Sequence, residues 1–520
     1  MNIYKQILKQ NINKLLSLYN TDKFSQTCGY ADREFWGWKT KDFTNATLQG
    51  GVHSLAIALK LNLFTKEQEK KILEIIDSAI IAVEKIKAKN GSLIEAYPNE
   101  NSFCVTALVA FDVLSAIKHL DIKITREQKE KYISIVKPLI EFIIKHGEEH
   151  AIISNHLATG VAAITLWNHL TSSNNSRDQE LLNIIYKHQS NEGWYLEYEG
   201  ADPGYQTLCT YYLFCTYEIT QDKKLLESLK RSAKFLSHFI QPDGTIGGLY
   251  GSRNTEVYYP AGIIGLSNDL EEFRMMAKYL EPKRQHLLPQ NIDIGNYIPL
   301  LNAYAVATLH YDDNHKSIES CSIKPFYTTE QSIDFDNTGI YLYTNENYFA
   351  IINYKKGGTL KVFNKQSNII DLEDGGLFGI LKNQNKFTTQ QFDEMIDFKN
   401  LTLKSNFYQM NESSPNPLNF IVLRILSLTI FKSVHLGNMF KKFIVNMLMT
   451  GKNKIDGNVQ REFEFLQDKI IVKEKIDIPK ETELIKHIGK SKSIHMASSG
   501  YFIEQNFHNS TSKLVEFKNV

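Results

Sequence analysis

The chain is poor in cysteine, proline and glycine, almost without net charge, and without a long unbroken apolar run. Its five cysteines, Cys28, Cys104, Cys209, Cys215 and Cys321, are spread over 520 residues with no C-x-x-C pair. An odd number at such spacing supports neither a disulfide framework nor a cysteine zinc site. The 28 glycines and 12 prolines are too few for a collagen or a long flexible linker. Lys and Arg number 59 against 58 Asp and Glu. No global field therefore draws in nucleic acid or a membrane, and an anionic partner must be met locally. The greasiest stretch, Phe420 to Met449, is interrupted by Arg424, Lys432, Lys441 and Lys442. It falls short of the ~20 apolar residues of a membrane span, so no integral membrane segment is expected. Near the N-terminus, Lys5, Lys9 and Lys14 break up Ile7, Leu8, Ile12, Leu15 and Leu16. That pattern is an amphipathic helix and not a signal-peptide core. A cytoplasmic location is the default expectation, and a periplasmic or secreted one if a leader has been removed.

What is present is a large amount of core-forming sequence, 42 % hydrophobic and 22 % charged. The first three hundred residues carry helical periodicity, as in Ile72, Leu73, Ile76, Ala79, Ile80 and Val83. Turn signals separate the helices: Asn90-Gly91, His146-Gly147, Asn191-Glu192-Gly193 and Pro242-Asp243-Gly244. Their glycines are 56, 46 and 51 residues apart. A period near fifty with a helix on each side of the turn describes stacked helical hairpins, closed into an α/α toroid or left as an open solenoid. Polar and aromatic turns favour the toroid, with loops lining one cavity. Near Cys321 the pattern changes to short β-branched and aromatic segments such as Tyr348-Phe349-Ala350-Ile351-Ile352. These suit antiparallel sheets with one solvated face. The fold class expected is α+β multidomain, with an α/α toroid at 1–315 and an antiparallel β-sandwich at 316–520. The 420–449 stretch is a helical insertion, with Ile425, Leu426, Leu428 and Phe431 facing a core over a sheet. A membrane-surface role is its alternative.

Four clusters concentrate chemistry in the helical half. Tyr30 to Lys39 carries Arg33 beside Asp32 and two tryptophans, either a sugar-stacking wall with a charged clamp or a structural cap. Asn155-His156 opens a helix, presenting an amide and an imidazole where a helix N-terminus favours an anion. Glu192 to Tyr205, with Trp194, Glu199 and Asp202, leads into a helix on which Tyr205 and Tyr212 share a face. Gly247-Gly248-Leu249-Tyr250-Gly251 then delivers Arg253 and Asn254. That is either a grip on a carboxylate or sulfate or a structural tie, and it does not match a phosphate loop.

Taken together, these features resemble the heparinase II/III-like polysaccharide lyases. The resemblance implies β-elimination on a uronic-acid-containing polysaccharide, with no metal and no cofactor. It implies catalytic roles for Asn155, His156, Tyr205 and Tyr212. Arg253, Asn254, Trp194, Glu199 and Arg33 are the expected substrate contacts. Such lyases often add a histidine from the β-domain, and His435, His487, His495 and His508 are equal candidates. A toroid glycoside hydrolase is the competing enzyme, with Glu199, Asp202 and Asp243 as possible acids. A cyclase of the terpene type would want a D-x-D-D acid on the toroid. Asp371-Leu372-Glu373-Asp374 instead lies in the strand half. A non-catalytic glycan-binding protein is the third class.

Overall fold

The computed structural model describes residues 2–148, 152–198, 200–285, 287–410, 414, 416–445, 452–489 and 512–520. Thirteen helices come first: α1 (Ile3–Leu16), α2 (Arg33–Trp36), α3 (Val52–Lys60), α4 (Lys66–Ile86), α5 (Phe103–Leu120), α6 (Arg126–Lys145), α7 (Ser154–Thr171), α8 (Arg177–His188), α9 (Pro203–Thr220), α10 (Lys223–Ser237), α11 (Ala261–Gly265), α12 (Glu271–Tyr279) and α13 (Ile294–Glu319). Helices α3, α5, α7, α9, α11 and α13 each pack on the next, and α13 returns to α3. The ring is therefore closed, which settles toroid against solenoid. Helices α4, α6, α8, α10 and α12 back the ring from outside, and α1 packs on α13.

The two layers follow from composition. Outer helices such as α4 and α6 begin at capping boxes, Thr65 with Gln68 and Thr125 with Gln128, and bury one stripe. Inner helices such as α5, α7 and α9 are buried on nearly all sides. Among the described residues α5 alone is long and apolar enough to cross a membrane, and 83 % of it is buried inside the toroid. The turn glycines explain the fifty-residue period. Gly91 and Gly193 adopt φ of +88° and +103°, and a Cβ there would lie 2.2 Å from the carbonyl oxygens of Pro138 and Arg231. Each turn thus rests on the backbone of the next outer helix, α6 or α10, where only glycine fits.

Two sheets follow. The first is a meander of β1 (Gln331–Phe335), β2 (Ile340–Thr344), β3 (Tyr348–Asn353), β4 (Thr359–Asn364) and β5 (Ile369–Asp374). The second contains β6 (Leu377–Leu381), β7 (Lys386–Thr388), β8 (Thr402–Gln409), β9 (Lys454–Phe465), β10 (Ile470–Asp477), β11 (Thr482–His487) and β12 (Val515–Asn519). Their order is β11-β6-β7-β8-β9-β10-β12, antiparallel except for the pair β10 and β12. Phe349, Ile351 and Phe363 face the toroid and join its core. Tyr348, Ala350 and Ile352 point the other way and pack with Leu403, Phe463 and Val472 of the second sheet. The first sheet is thus buried on both faces, which corrects the expectation of one solvated face. Strand β3 is apolar at consecutive positions because both of its sides are covered.

Helices α14 (Pro417–Leu428) and α15 (Val434–Val445) interrupt the second sheet. They do not cover it. Asn99 and Asn101 donate to the carbonyls of Ser427 and Phe431, so the pair docks on the toroid's loops. Of the four residues expected in a core, Phe431 is buried and Leu426 half-buried, whereas Ile425 and Leu428 are exposed. The remainder of the stretch, 446–449, lies outside the described residues.

Candidate active site

A cavity of about 540 Å³ opens at one end of the toroid. Its wall is built from the first turns of the inner helices: Ser102 and Cys104 at α5, Asn155 and His156 at α7, Tyr205 and Leu208 at α9, and Gly295 and Asn296 at α13. The positive ends of these helix dipoles therefore converge on it. Tyr198, Tyr212, Arg253 and Tyr259 complete one side, and Glu95, Glu100, Glu148 and Lys441 the other.

Arg253 and Tyr205 form the centre. The guanidinium carbon lies 3.8 Å from the centroid of the Tyr205 ring and 5.0 Å from that of Tyr198. Asp202, the N-cap of α9, holds both in register by accepting from the backbone N–H of Tyr205 at 3.0 Å and of Arg253 at 2.9 Å. Burial disfavours the charge on Arg253, but Tyr205, Tyr198, Glu197 and Asp202 outweigh it and raise its pKa. The adjoining Tyr198 adopts the left-handed backbone, φ +59°, a conformation that costs a tyrosine energy and is found at functional sites.

Asn155 is organised from behind. Its Nδ2 donates to both carboxylate oxygens of Glu197 at 2.9 Å, and its backbone N–H reaches Oε1 at 3.2 Å. Arg253 Nη1 lies 3.6 Å from the same carboxylate. Burial raises the pKa of Glu197, against the pull of Arg253 and Asn155. Beside it, Nδ1 of His156 is bonded to Glu148 at 2.7 Å, which fixes the imidazole plane.

The remaining tyrosines are kept protonated. Burial pushes Tyr212 well above its ordinary range, with Asp112 adding to the effect. Burial likewise lifts Tyr198 to about 12, with Arg253 opposing. Tyr212 still lines the cavity, its ring stacked on Tyr211 at 4.6 Å.

Of the residues singled out from sequence, Asn155, His156, Tyr205, Tyr212 and Arg253 all line this one cavity. Three others, Asn254, Trp194 and Arg33, do not line it. Asn254 is buried, and its Oδ1 accepts from Lys356 of the segment joining β3 and β4. That ammonium also binds the carbonyls of Leu249 and Gly251, at 2.9 and 2.7 Å. Asn254 is a tie for the loop carrying Arg253, not a substrate contact. Trp194 donates to Glu192, which accepts from the backbone of Asn337, so it joins toroid to sheet. Arg33 is exposed against Trp36, and Asp32 pairs with Lys41 instead. Glu199 lies outside the described residues, as do His495 and His508. His435 is exposed, and His487 sits in a buried ion cluster of the second sheet with Asp374, Glu474 and Arg461. Neither lines the cavity.

The residues missed are Glu95, Glu100, Glu148, Glu197 and Lys441. Glu197 lies in the dense 192–205 loop without a spacing signal; Glu95 and Glu100 come from the loop before α5, Glu148 from the loop before α7, and Lys441 from α15. Glu100 accepts the backbone N–H groups of Glu95 and Ala96 at 2.8 Å and pairs with Lys441 at 3.3 Å. Burial, reinforced by Glu100, raises Glu95 to about 7. Of the acids considered for a hydrolase, Asp202 is spent as a helix cap and Asp243 binds Thr245 in its turn. Among the described residues no group of three or more His, Cys, Asp or Glu is arranged to hold a metal ion.

No family model matches the sequence, and no curated protein matches it. Solved structures do. The chondroitin AC lyase of Streptomyces coelicolor A3, in complex with chondroitin sulphate, superposes with a TM-score of 0.51 at 8 % identity, over 78 % of this chain and 64 % of that one. A Paenibacillus xanthan lyase gives 0.49 at 10 % identity, over 79 % and 44 %. Heparinase III gives 0.41 at 9 % identity, over 70 % and 58 %. The chain thus spans less than two thirds of each of these lyases. Toroid glycoside hydrolases and an epimerase are also among the similar structures. At such identities the likeness is one of architecture: the chain has the fold of the toroid polysaccharide lyases, an α/α toroid followed by antiparallel sheets.

Proposed function

We propose that this chain is a polysaccharide lyase that cleaves a uronic-acid-containing polymer by β-elimination. The observation carrying the reading is the buried Arg253 guanidinium stacked on the ring of Tyr205 inside the cavity. A C5 proton of a uronate leaves only when its carboxylate is neutralised and a base is at hand. A phenol becomes that base when a cation stabilises its phenolate. Tyr205 takes the C5 proton, the C4–C5 double bond forms, and the C4–O4 bond breaks. A tyrosine hydroxyl, that of Tyr205 or Tyr212, returns a proton to O4. His156, oriented by Glu148, and the converging helix N-termini face the carboxylate, while Glu197 holds the Asn155 amide in place.

The three cavity carboxyls Glu95, Glu100 and Glu148 favour a specific second reading. Glu95, raised to about 7, has the protonation behaviour of a general acid in an acidic-polysaccharide hydrolase. Mass spectrometry of products from a panel of uronate polymers separates the two. Elimination leaves fragments one water lighter than hydrolysis, with an unsaturated end that absorbs in the ultraviolet. Saturated products would give the site to the hydrolase, and no products from any polymer would leave a glycan-binding protein.

A further inference from the structure

Helices α14 and α15 invert the usual arrangement of a surface helix. In α14, Leu418, Ile421, Ile425 and Leu428 follow one another at three- and four-residue steps, which makes one stripe. All four are more than half exposed. Leu423, Arg424, Leu426 and Ser427 turn inward. Arg424 pairs with Asp42 at 2.9 Å, and the Ser427 carbonyl accepts from Asn99. In α15, Leu436, Met439 and Phe443 repeat the pattern, and Phe443 is 61 % exposed. What holds the pair down is Phe431, packed on Tyr97 and Phe440 with centroids 5.3 and 4.9 Å apart. Half-exposed aliphatic side chains in this number exceed what an isolated soluble surface carries without a partner.

The charge around the stripe selects that partner. No Asp or Glu occurs from 413 to 455, a stretch that holds Arg424, Lys432, Lys441, Lys442, Lys452 and Lys454. Over the whole chain the two signs balance, 59 against 58, so the remainder of the chain carries a slight acidic excess. A second copy of the chain on this face would oppose its own lysines, which is unfavourable. Arg424 and Lys441 are paired with Asp42 and Glu100, which leaves the exposed Lys432 and Lys442 of the hairpin beside the stripe. An apolar stripe whose own exposed charges are cations is complementary to an anionic bilayer surface. Each helix has 12 residues, about 18 Å against the ~30 Å of a hydrocarbon core. The pair lies in the interface and does not span it.

We infer that the α14–α15 hairpin is a membrane-surface anchor that seats this protein on anionic lipid. Lys441 of α15 lines the cavity and pairs with Glu100, so seating the hairpin brings the cavity mouth to the bilayer. The polymer is then met at the membrane. The inference is independent of whether the bond is broken by elimination or hydrolysis.

The test is co-sedimentation of the full chain with large unilamellar vesicles. One set contains equal parts phosphatidylglycerol and phosphatidylcholine, the other phosphatidylcholine alone. The wild type is expected to pellet with the anionic vesicles at least ~10-fold more strongly than with the neutral ones, and less as salt is raised. The triple variant Phe420→Ser, Ile425→Ser, Phe443→Ser should lose that binding and keep its activity on soluble polymer, since none of the three lines the cavity. Lys432→Glu with Lys442→Glu, which leaves the apolar stripe untouched, should weaken binding to anionic vesicles alone. Absence of vesicle binding by the wild type overturns the inference, as does binding that neither set of substitutions reduces. A wild-type dimer in light scattering that the triple variant converts to monomer, without vesicle binding, assigns the face to a second copy and also overturns it.

Discussion

The guanidinium of Arg253 lies against the face of Tyr205, 3.8 Å from the ring centroid, although the two residues come from different hairpins of the toroid. Asp202 accepts from the backbone of both, so one carboxylate sets the register of the pair. A cation against the ring offsets the cost that burial places on a phenolate.

Tyr205→Phe keeps the ring and its stacking on Arg253 and removes only the hydroxyl. The variant should fold normally, still bind polymer, and lose at least ~100-fold in kcat, the low end for a general acid–base group. Tyr212→Phe should lose about as much if Tyr212 protonates O4, and less if it only orients Tyr205. Full activity of Tyr205→Phe in an ultraviolet assay would remove the tyrosine from the chemistry.

Lys356 is a positioning residue that reaches from the sheets to the site. Its ammonium holds the carbonyls of Leu249 and Gly251 and the side chain of Asn254, and Asn353 donates to the Tyr250 carbonyl at 2.7 Å. Lys356→Met leaves those acceptors buried without it, at about 1–3 kcal/mol for each one unsatisfied. The loop bearing Arg253 then loosens. A fall in kcat of ~10-fold or more is expected at temperatures where the variant is folded, since misplaced catalytic geometry costs rate. Wild-type kcat in the folded variant would show that the loop holds itself.

Glu95 should record its surroundings in a pH dependence. Its folded pKa is raised to about 7 by burial and by Glu100, so the folded state holds the proton more tightly than the unfolded chain. The associated stability is fully present below about pH 4.5 and is lost as pH rises through 7. Glu95→Gln, neutral at every pH, should gain on the wild type across that window. The gain is at most roughly 3 kcal/mol, and less where cavity water screens the carboxylate. Melting temperatures from pH 4 to 8 read it directly, and parallel curves would contradict it. The same variant separates the two reactions, because a hydrolase using Glu95 as acid would be inactive.

His487 loses stability in the same direction of pH, but there it is the charged form that the fold favours. Burial works against its charge, but hydrogen bonds to Asp374 and Glu474 prevail and raise its pKa to about 9. Both carboxylates are fully buried with Arg461, at 2.6 and 2.7 Å. A raised histidine contributes stability that is complete below pH 6.5 and disappears as pH passes 9. His487→Gln should therefore be less stable by up to roughly 3 kcal/mol at pH 6, with the deficit gone by about pH 10. Urea midpoints at the two pH values check this. Activity on polymer at neutral pH should change little in the folded variant, because the cluster lies away from the cavity.

Much of the architecture was legible locally. Periodic glycines at 91 and 193 mark the hairpins because each must pass a neighbouring helix backbone closer than any Cβ permits. Asn155-His156 and Tyr205 were legible because both follow helix starts one hairpin apart, and a closed ring brings equivalent turns to one end. The 417–445 helices misled because their apolar stripe has the spacing of a core face, and spacing does not say which side faces solvent.

The sequence by itself determined the order of elements, the hairpin repeat and the helix starts, because capping, periodicity and turn geometry act over a few residues. Only the tertiary structure decided that the ring closes, that the first sheet is buried between toroid and second sheet, and that Asn254 and Trp194 are ties. Only it brought Glu95, Glu100, Glu148 and Lys441 to the same cavity and set Glu197 behind Asn155. Those outcomes depend on contacts between residues tens to hundreds of positions apart. Lys441 meets Glu100 and Lys356 meets Asn254, and no local pattern in the chain encodes such distances.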